Sequence, residues 1–229
     1  KHIANSDDLK MVGLACHIGS QILELESFKK TAIKTIELAD DLIEIGIHVD
    51  FLDLGGGLGV PYNNETVPSP KELISCLEEE FRDRKERLIL EPGRSISANA
   101  GMLLTRVEYI KDNFLIVDAA MNDLLRPALY KAKHEVCNVK EKSLNNKKWN
   151  IVGPICESSD FLAKDISIDA DEGDILAVKT VGAYGFVMSS NYNARPRACE
   201  VLIAEGEATL IRKRETYEDL LKSEININD

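Results

Sequence analysis

The sequence is short of positive charge and of long apolar runs. Its 229 residues include 28 lysines and arginines against 39 aspartates and glutamates, a formal net charge of −11. Proteins that bind DNA or RNA through the phosphates need clustered positive charge, so we expect no nucleic acid partner. No apolar stretch reaches the roughly 18 residues of a membrane-spanning helix, and the polar N-terminus lacks the apolar region of a signal peptide. We therefore expect no membrane association.

Cysteine is scarce and scattered. The chain has five cysteines, an odd number, and they form no CxxC pair: Cys16, Cys76, Cys137, Cys156 and Cys199. This pattern argues against a disulfide framework and against a zinc site, so we expect no metal. Unpaired cysteines are typical of a reducing compartment, and we expect a cytoplasmic location.

Strands and helices alternate in the first part of the chain. The predicted elements are strands at 11–18, 47–54 and 87–92 and helices at 25–46 and 70–86. Gly46 stands where a helix C-cap belongs, and Pro70 suits the start of the second helix. Strand, helix and strand at this spacing predict parallel βα units.

The pattern changes near residue 102. Short apolar runs are then separated by turns such as DEGD and AEGE, and long amphipathic segments disappear until a charged stretch around 214–223. This half is predicted to be antiparallel β. The sequence thus indicates an α/β part over 1–101 and an all-β part over 102–229.

A glycine-rich segment, DLGGGLGV, follows the second predicted strand. Glycines such as Gly56 and Gly57 let backbone N–H groups face an anion without a Cβ in the way. The segment matches neither the GxGxxG dinucleotide fingerprint nor a Walker loop. It indicates either a site for one phosphate of a small cofactor or a tight turn with no ligand.

Polar groups follow the other two strands as well. His17 and Ser20 lie in the motif HIGSQ, and Glu91 and Arg94 lie in EPGRS. Taken alone, His17 is typical of a structural histidine and Ser20 of a helix N-cap. Together, the strand ends offer a phosphate-binding loop, a flat ring and a carboxylate, which is the set that pyridoxal phosphate needs.

Six motifs extend this interpretation over nearly the whole chain, in order. They are CHIGSQ, DLGGGLGV, EPGRSISANAGMLLT, VDAAMNDLLRPALY, GPICESSD and GAYGFVMSSNYNARPRACEVLI. The set resembles the fold-type III pyridoxal-phosphate decarboxylases. The resemblance implies that 1–101 is the C-terminal portion of an alanine-racemase-like TIM (β/α)8 barrel. Residues 102–229 would then form a C-terminal domain of β-sandwich or β-barrel type.

The resemblance also implies roles at the cofactor. His17 would stack on the ring, and Glu91 would pair with the protonated pyridine nitrogen, keeping the ring a good electron sink. The remaining implied cofactor contacts are Ser20, Gly56, Gly57, Gly93, Arg94 and Tyr184.

Substrate recognition is implied in the same way. Arg94, Arg126 and Tyr130 would bind the distal carboxylate of the substrate, with Tyr184 nearby, since an arginine fork suits a carboxylate. Taken alone, Arg126 is more typical of a surface ion pair.

The segment CES is implied to lie in a loop that reaches the active site of a neighbouring subunit. Cys156 would donate a proton after loss of carbon dioxide, although a lone cysteine is more often a small buried apolar residue. Glu157 would bind the distal amino group of the substrate. Ornithine decarboxylases tend to have aspartate there, so the longer acid favours meso-2,6-diaminopimelate, giving L-lysine. A homodimer with shared active sites follows.

One expected part is missing. Fold-type III enzymes hold the cofactor as a Schiff base to a lysine on an early barrel strand, in a motif such as VKAN, and this sequence has none. Its first half supplies only three strand–helix units, whereas a closed barrel has eight over ~250 residues. The chain also opens with Lys1 rather than methionine. We therefore expect a C-terminal part of a longer enzyme, inactive by itself.

Three alternatives remain. A related decarboxylase could act on arginine, ornithine or carboxynorspermidine, although Glu157 and RPALY argue against ornithine. A non-catalytic relative could bind a partner protein, as antizyme inhibitors do, although the implied substrate residues are all present. A phosphate-binding barrel without decarboxylase chemistry explains the glycines but not CESSD or GAYG.

Overall fold

The computed structural model describes residues 2–3, 6–142 and 147–225. It divides into two compact units, Lys1–Asn99 (unit 1) and Ala100–Asp229 (unit 2). Among the described residues, no helix is both long enough and apolar enough to cross a membrane.

Unit 1 is a parallel βα array. Its elements are β1 (Gly13–Ala15), α1 (Leu25–Glu44), β2 (Phe51–Asp53), α2 (Pro70–Phe81), β3 (Arg87–Ile89) and α3 (Arg94–Ser97). The three strands pair in the order β1-β2-β3, and both pairs are parallel. Parallel neighbours need a long crossover connection, which α1 and α2 supply. The predicted βα units are therefore confirmed.

Apolar residues one helical turn apart attach both helices to the sheet. Phe28 and Ala32 on α1, and Leu73 and Leu77 on α2, pack together with Leu54 just after β2. The start of α2 is capped by Ser69, whose side chain accepts from the Glu72 N–H, while the Glu72 carboxylate accepts from the Ser69 N–H. Pro70 is the first residue of the helix. At the other helix, Gly46 follows the end of α1 with φ +82°, as its sequence position predicted.

The elements of unit 1 are shorter than predicted. Strand pairing is limited to three residues each, with Gly13–Ala15 opposite Phe51–Asp53, so the predicted strands at 11–18, 47–54 and 87–92 are too long. Helix α2 ends at Phe81, not at 86. Apolar residues continue past the carboxyl end of each strand into the loop that follows. An apolar run in a buried loop has the same sequence pattern as one in a buried strand.

Unit 2 is mainly a six-stranded sheet. Its elements are β4 (Leu103–Lys111), β5 (Phe114–Val117), α4 (Arg126–Tyr130), β6 (Val136–Asn138), β7 (Lys148–Val152), β8 (Phe161–Ser167), β9 (Ile175–Val178), β10 (Glu200–Ala204), β11 (Glu207–Arg212) and α5 (Tyr217–Leu221). The sheet order is β6-β9-β4-β5-β7-β8, and β10 with β11 forms a separate hairpin. The core lies on one face of the sheet: Val107, Leu115, Val117, Leu124, Trp149, Ile151, Leu162, Leu176 and Val178.

The all-antiparallel interpretation of this half is wrong at one pair. Strands β5 and β7 are parallel, with Phe114 opposite Asn150, whereas the other pairs are antiparallel. Apolar residues alternate with the same period in parallel and antiparallel strands. The parallel pairing is therefore indicated only by the long connection between β5 and β7. Strands β6 and β8 and helix α4 were not predicted.

Candidate active site

The loops that follow the three parallel strands of unit 1 are joined by backbone hydrogen bonds. The N–H of Ile22 donates to the carbonyl of Gly57 (2.9 Å), and the N–H of Glu91 donates to the carbonyl of Gly55 (2.8 Å). The glycine-rich loop therefore lies between the histidine loop and the glutamate loop. The carboxyl edge of a parallel sheet is where α/β proteins bind ligands.

The glycines are required by the closeness of these loops. A Cβ at Gly56 would overlap the carbonyl oxygen of Glu91, and a Cβ at Gly57 would overlap the carbonyl oxygen of Gly19. In addition, Gly55 and Gly57 have φ values of +68° and +112°, which L side chains rarely adopt. Close packing alone therefore requires these glycines, as in the interpretation of the segment as a tight turn, whether or not an anion binds.

The amides of the glycine-rich loop divide into two kinds. The N–H of Gly55 donates to Asp53 Oδ1 (2.8 Å), so it does not face an anion. Among the residues that the structure describes, no acceptor contacts the N–H groups of Gly56, Gly57 or Gly93. Two adjoining loops therefore present donors without acceptors, an arrangement that fits a phosphate group.

Arg94, the first residue of α3, contacts two of the three loops. Its Nη2 donates to Ser20 Oγ (3.0 Å), and its Nη1 donates to the hydroxyl of Tyr62. The guanidinium carbon lies 5.7 Å from the centre of the Tyr62 ring. Tyr62 is buried and was missed by sequence reasoning; an aromatic residue directly after a glycine-rich loop was the available signal.

His17 and Glu91 are exposed on this edge. Within the described part of the chain, neither side chain makes a hydrogen bond or an ion pair. A Cβ at Gly55 would lie 2.9 Å from His17 Nδ1, so the imidazole lies against the glycine-rich loop. Both side chains are therefore available to a ligand, the first as a flat ring and the second as a carboxylate.

In unit 2, Arg126 begins the short helix α4 and Tyr130 ends it. Arg126 is only 6% exposed and its Nη1 lies 2.8 Å from Nε2 of His134, so the surface interpretation of this arginine is wrong. Tyr130 is exposed, and Lys131 terminates the helix in a left-handed conformation with φ +54°. The pattern RPALY could not predict the contact with His134, which comes from the following loop.

The loop over residues 153–160 is closed by a buried carboxylate. Asp160 Oδ2 accepts from the N–H of Ile155 (2.9 Å), and Oδ1 accepts from the N–H of Met121 (2.7 Å). Burial raises the pKa of the Asp160 carboxyl above its ordinary range, against the lowering effect of these two amides. The clamp holds Cys156 and Glu157 on the exposed outside of the loop, so Cys156 is not the buried apolar residue that a lone cysteine suggests.

The Glu157 carboxylate is held by neutral donors. It accepts from Ser158 Oγ (3.3 Å) and from the hydroxyl of Tyr192 (3.4 Å). No lysine or arginine of the described residues forms an ion pair with it. A carboxylate that contacts only neutral donors can still form an ion pair with a cationic ligand.

Tyr184 has an unusual backbone. Its φ is +62°, in the left-handed region that bulky residues seldom adopt, and the residue is 39% exposed. Such outliers are concentrated at functional sites. The motif GAYG indicated a functional tyrosine, but no sequence signal could predict this conformation.

We expect substitution of Asp160 by alanine to lower the free energy of unfolding by about 2 kcal/mol, because two buried N–H groups lose their acceptors. The folded pKa is raised, so the additional stability that comes from protonation of Asp160 is fully present below the unfolded pKa near 3.9 and is lost as pH rises through the folded pKa. The gap between wild type and D160A should therefore be widest at acidic pH.

Denaturant unfolding of the wild type and of D160A, from below the unfolded pKa of Asp160 to above its folded pKa, measures the effect. Ser159→Ala, at the exposed neighbouring position, serves as the control and should stay within about 0.5 kcal/mol of wild type. A gap that widens as pH rises would contradict the inferred cost of burying the charged carboxylate.

Comparison with known proteins places both units in one family. Residues 7–182 match the family model described as pyridoxal-dependent decarboxylase, C-terminal sheet domain. The chain is 50% identical over 225 residues to diaminopimelate decarboxylase of Pseudomonas aeruginosa, covering 96% of this chain and 54% of that protein. It is 48% identical to diaminopimelate decarboxylase of Neisseria meningitidis, covering 98% and 56%. The chain thus spans about half the length of the curated relatives it matches.

Solved structures show the same similarity. A crystal structure from Aquifex aeolicus matches with a TM-score of 0.94 at 45% identity, covering 98% of this chain and 57% of that chain. Diaminopimelate decarboxylase from Helicobacter pylori, complexed with L-lysine, matches with a TM-score of 0.90 at 41% identity, covering 96% and 56%.

Proposed function

The chain belongs to the pyridoxal-dependent decarboxylase family, and from that premise we propose that the complete polypeptide converts meso-2,6-diaminopimelate into L-lysine with pyridoxal 5'-phosphate as cofactor. The observation that carries the proposal is the set of amides at Gly56, Gly57 and Gly93, which contact no acceptor among the described residues and lie beside the Arg94–Ser20 hydrogen bond. Donors grouped in this way suit a phosphate, and the flat ring and carboxylate needed by the rest of the cofactor lie on the same edge.

Different residues of unit 1 would contact different parts of the cofactor. The three amides and Ser20 would hold its phosphate, His17 would lie on its ring, and Glu91 would keep a proton on its ring nitrogen. When bound, the cofactor supplies an electron sink for breaking the bond to the departing carboxyl group. The protein supplies position and charge, and the carboxylate of Glu91 stabilises the positive ring nitrogen.

The residues of unit 2 would recognise the substrate. Arg126, Tyr130 and Tyr184 would bind the distal carboxylate, and Glu157 would bind the distal ammonium group. Cys156 would deliver a proton from its thiol to the carbon that lost the carboxyl group. A substrate that ends in both an ammonium and a carboxylate satisfies an acid and an arginine together, which a simple diamine precursor does not.

The architecture of the complete protein is part of the same proposal. Residues 1–101 would be the C-terminal portion of a cofactor-binding TIM barrel and 102–229 the C-terminal β domain. The exposed position of Cys156 and Glu157 supports a homodimer in which this loop enters the active site of the other subunit. A cytoplasmic location is favoured by the five free cysteines.

The direct experiment supplies the complete polypeptide with pyridoxal phosphate and measures lysine and carbon dioxide formed from meso-diaminopimelate. L-Ornithine, L-arginine and carboxynorspermidine serve as competing substrates. We expect diaminopimelate to have the highest kcat/KM. Absence of lysine formation by a protein that has bound the cofactor would overturn the proposal, and preference for another substrate would replace diaminopimelate alone.

We expect Glu157→Gln to raise KM for diaminopimelate about tenfold, because the amide loses the charged hydrogen bond to the ammonium group. The effect on kcat should be smaller, since this contact is made before and during the reaction. Steady-state kinetics of the complete enzyme measure both constants.

Glu141→Gln, at an exposed acidic position in the same unit, is the control and should leave both constants unchanged. A normal KM in E157Q would show that another group binds the ammonium.

A further inference from the structure

His134 is a buried histidine with two defined neighbours in unit 2. The residue is 4% exposed. Its Nε2 lies 2.8 Å from Arg126 Nη1, and its Nδ1 lies 2.9 Å from the carbonyl oxygen of Lys179, which directly follows β9. The imidazole therefore connects the first residue of α4 to the backbone at the end of a core strand.

The chemistry of the two neighbours determines the state of the ring. A guanidinium can only donate hydrogen bonds, so Nε2 must accept from Arg126. A carbonyl oxygen can only accept, so Nδ1 must carry the hydrogen that goes to Lys179. Both contacts are satisfied together only by the neutral Nδ1–H tautomer. A protonated ring would direct a second N–H at the guanidinium and bury two positive charges side by side.

This contact gives Arg126 a fixed direction. The arginine side chain is long and flexible, and α4 is only five residues long, so the helix alone does not orient the guanidinium. The imidazole is oriented by the backbone of β9 and engages one end of the planar fork. One end of the fork is thereby anchored, which restricts the directions of the remaining N–H groups, and bidentate carboxylate binding depends on those directions.

We propose that His134 is a positioning residue for substrate recognition, which holds Arg126 through Nε2 in the orientation that binds the substrate carboxylate. The inference rests on the proposed function, in which Arg126 binds that group. His134 does not touch substrate or cofactor in this role.

Two isosteric variants separate the accepting atom from the rest of the ring. The side-chain amide of asparagine overlaps Nδ1, so His134→Asn keeps a donor for Lys179 and loses the acceptor for Arg126. Glutamine reaches the Nε2 position, so His134→Gln can return an acceptor to Arg126. In the complete enzyme we expect H134N to raise KM for diaminopimelate about tenfold, with a smaller change in kcat, and H134Q to recover most of that loss.

Competitive inhibitors provide a readout that a merely structural role would not move. L-Lysine keeps a carboxylate, whereas cadaverine has none. We expect H134N to raise Ki for lysine about tenfold and to leave Ki for cadaverine near the wild-type value. His2→Asn, at an exposed position, is the control for loss of a histidine.

Nitrogen-15 NMR of the wild-type protein tests the tautomer without activity, and it does so even if H134N fails to fold. A neutral ring with its hydrogen on Nδ1 supports the proposal, and a protonated ring or an Nε2–H tautomer overturns it. With wild-type turnover of diaminopimelate established, equal changes in the two Ki values, or a normal KM in H134N, would overturn the role of His134 alone. Failure of the wild type to use diaminopimelate would instead overturn the proposed function.

Discussion

Replacement of Gly56 by alanine is expected to destabilise unit 1 by about 3 kcal/mol or more, because the added Cβ would overlap the carbonyl oxygen of Glu91. This oxygen belongs to the backbone and cannot rotate away as the end of a side chain can. The adjoining Glu91 N–H is also bonded to Gly55, so relief of the overlap must separate two loops. Thermal unfolding of the complete polypeptide, with and without pyridoxal phosphate, measures the loss.

Gly46→Ala is the matched control. At Gly46 φ is +82° and, its chain neighbours and the adjoining helix backbone apart, no atom of the described residues lies within 4 Å of an added Cβ, so this variant tests backbone conformation without overlap. It should cost about 1–2 kcal/mol. Gly56 lies outside the positive φ region, so its variant tests overlap alone. If G56A proved no less stable than G46A, the close approach of the two loops would be wrong.

Glu91→Gln is expected to lower kcat for diaminopimelate about 100-fold while the protein still binds pyridoxal phosphate. The amide has nearly the same shape, but it carries no charge to hold a proton on the ring nitrogen. Glu91 is exposed and makes no hydrogen bond through its side chain within the described residues, so the fold should not change. Steady-state kinetics together with the absorbance of bound cofactor separate turnover from binding.

The control is Glu78→Gln, an exposed glutamate on α2, which should leave turnover intact. A wild-type kcat in E91Q would remove Glu91 from the reaction. Loss of the bound cofactor in E91Q would instead give this carboxylate a binding role, contrary to the expected separation of kcat from affinity.

Much of unit 1 was readable in advance because its signals are local. Pro70 at a helix start and Gly46 beyond a helix end act within one turn of backbone. The order of strands and helices also led to the parallel pairing, since only a crossover helix lets neighbouring strands run in the same direction. Strand lengths were overestimated because apolar residues continue into the loops.

The contacts at the candidate site were less accessible. Ser20 and Arg94 were both assigned to the cofactor, but their mutual hydrogen bond and the participation of Tyr62 were unforeseen. The contact between Arg126 and His134 was also unforeseen, and it replaces the surface ion pair that RPALY alone suggested. Distances between side chains from different loops depend on how those loops pack, and a linear pattern carries no such information.

The amino-acid sequence alone therefore established three things: which chemical groups follow each strand, where the helices end, and which family shares the six motifs. Three-dimensional packing settled the rest, including the parallel pairing of β5 with β7, the buried clamp at Asp160 and the closeness that forbids a Cβ at Gly56. The physical reason is one of range. Helix caps and turns act over a few residues, whereas the bond from Met121 to Asp160 and the contact of Gly56 with Glu91 join residues more than thirty positions apart, which only the folded chain brings together.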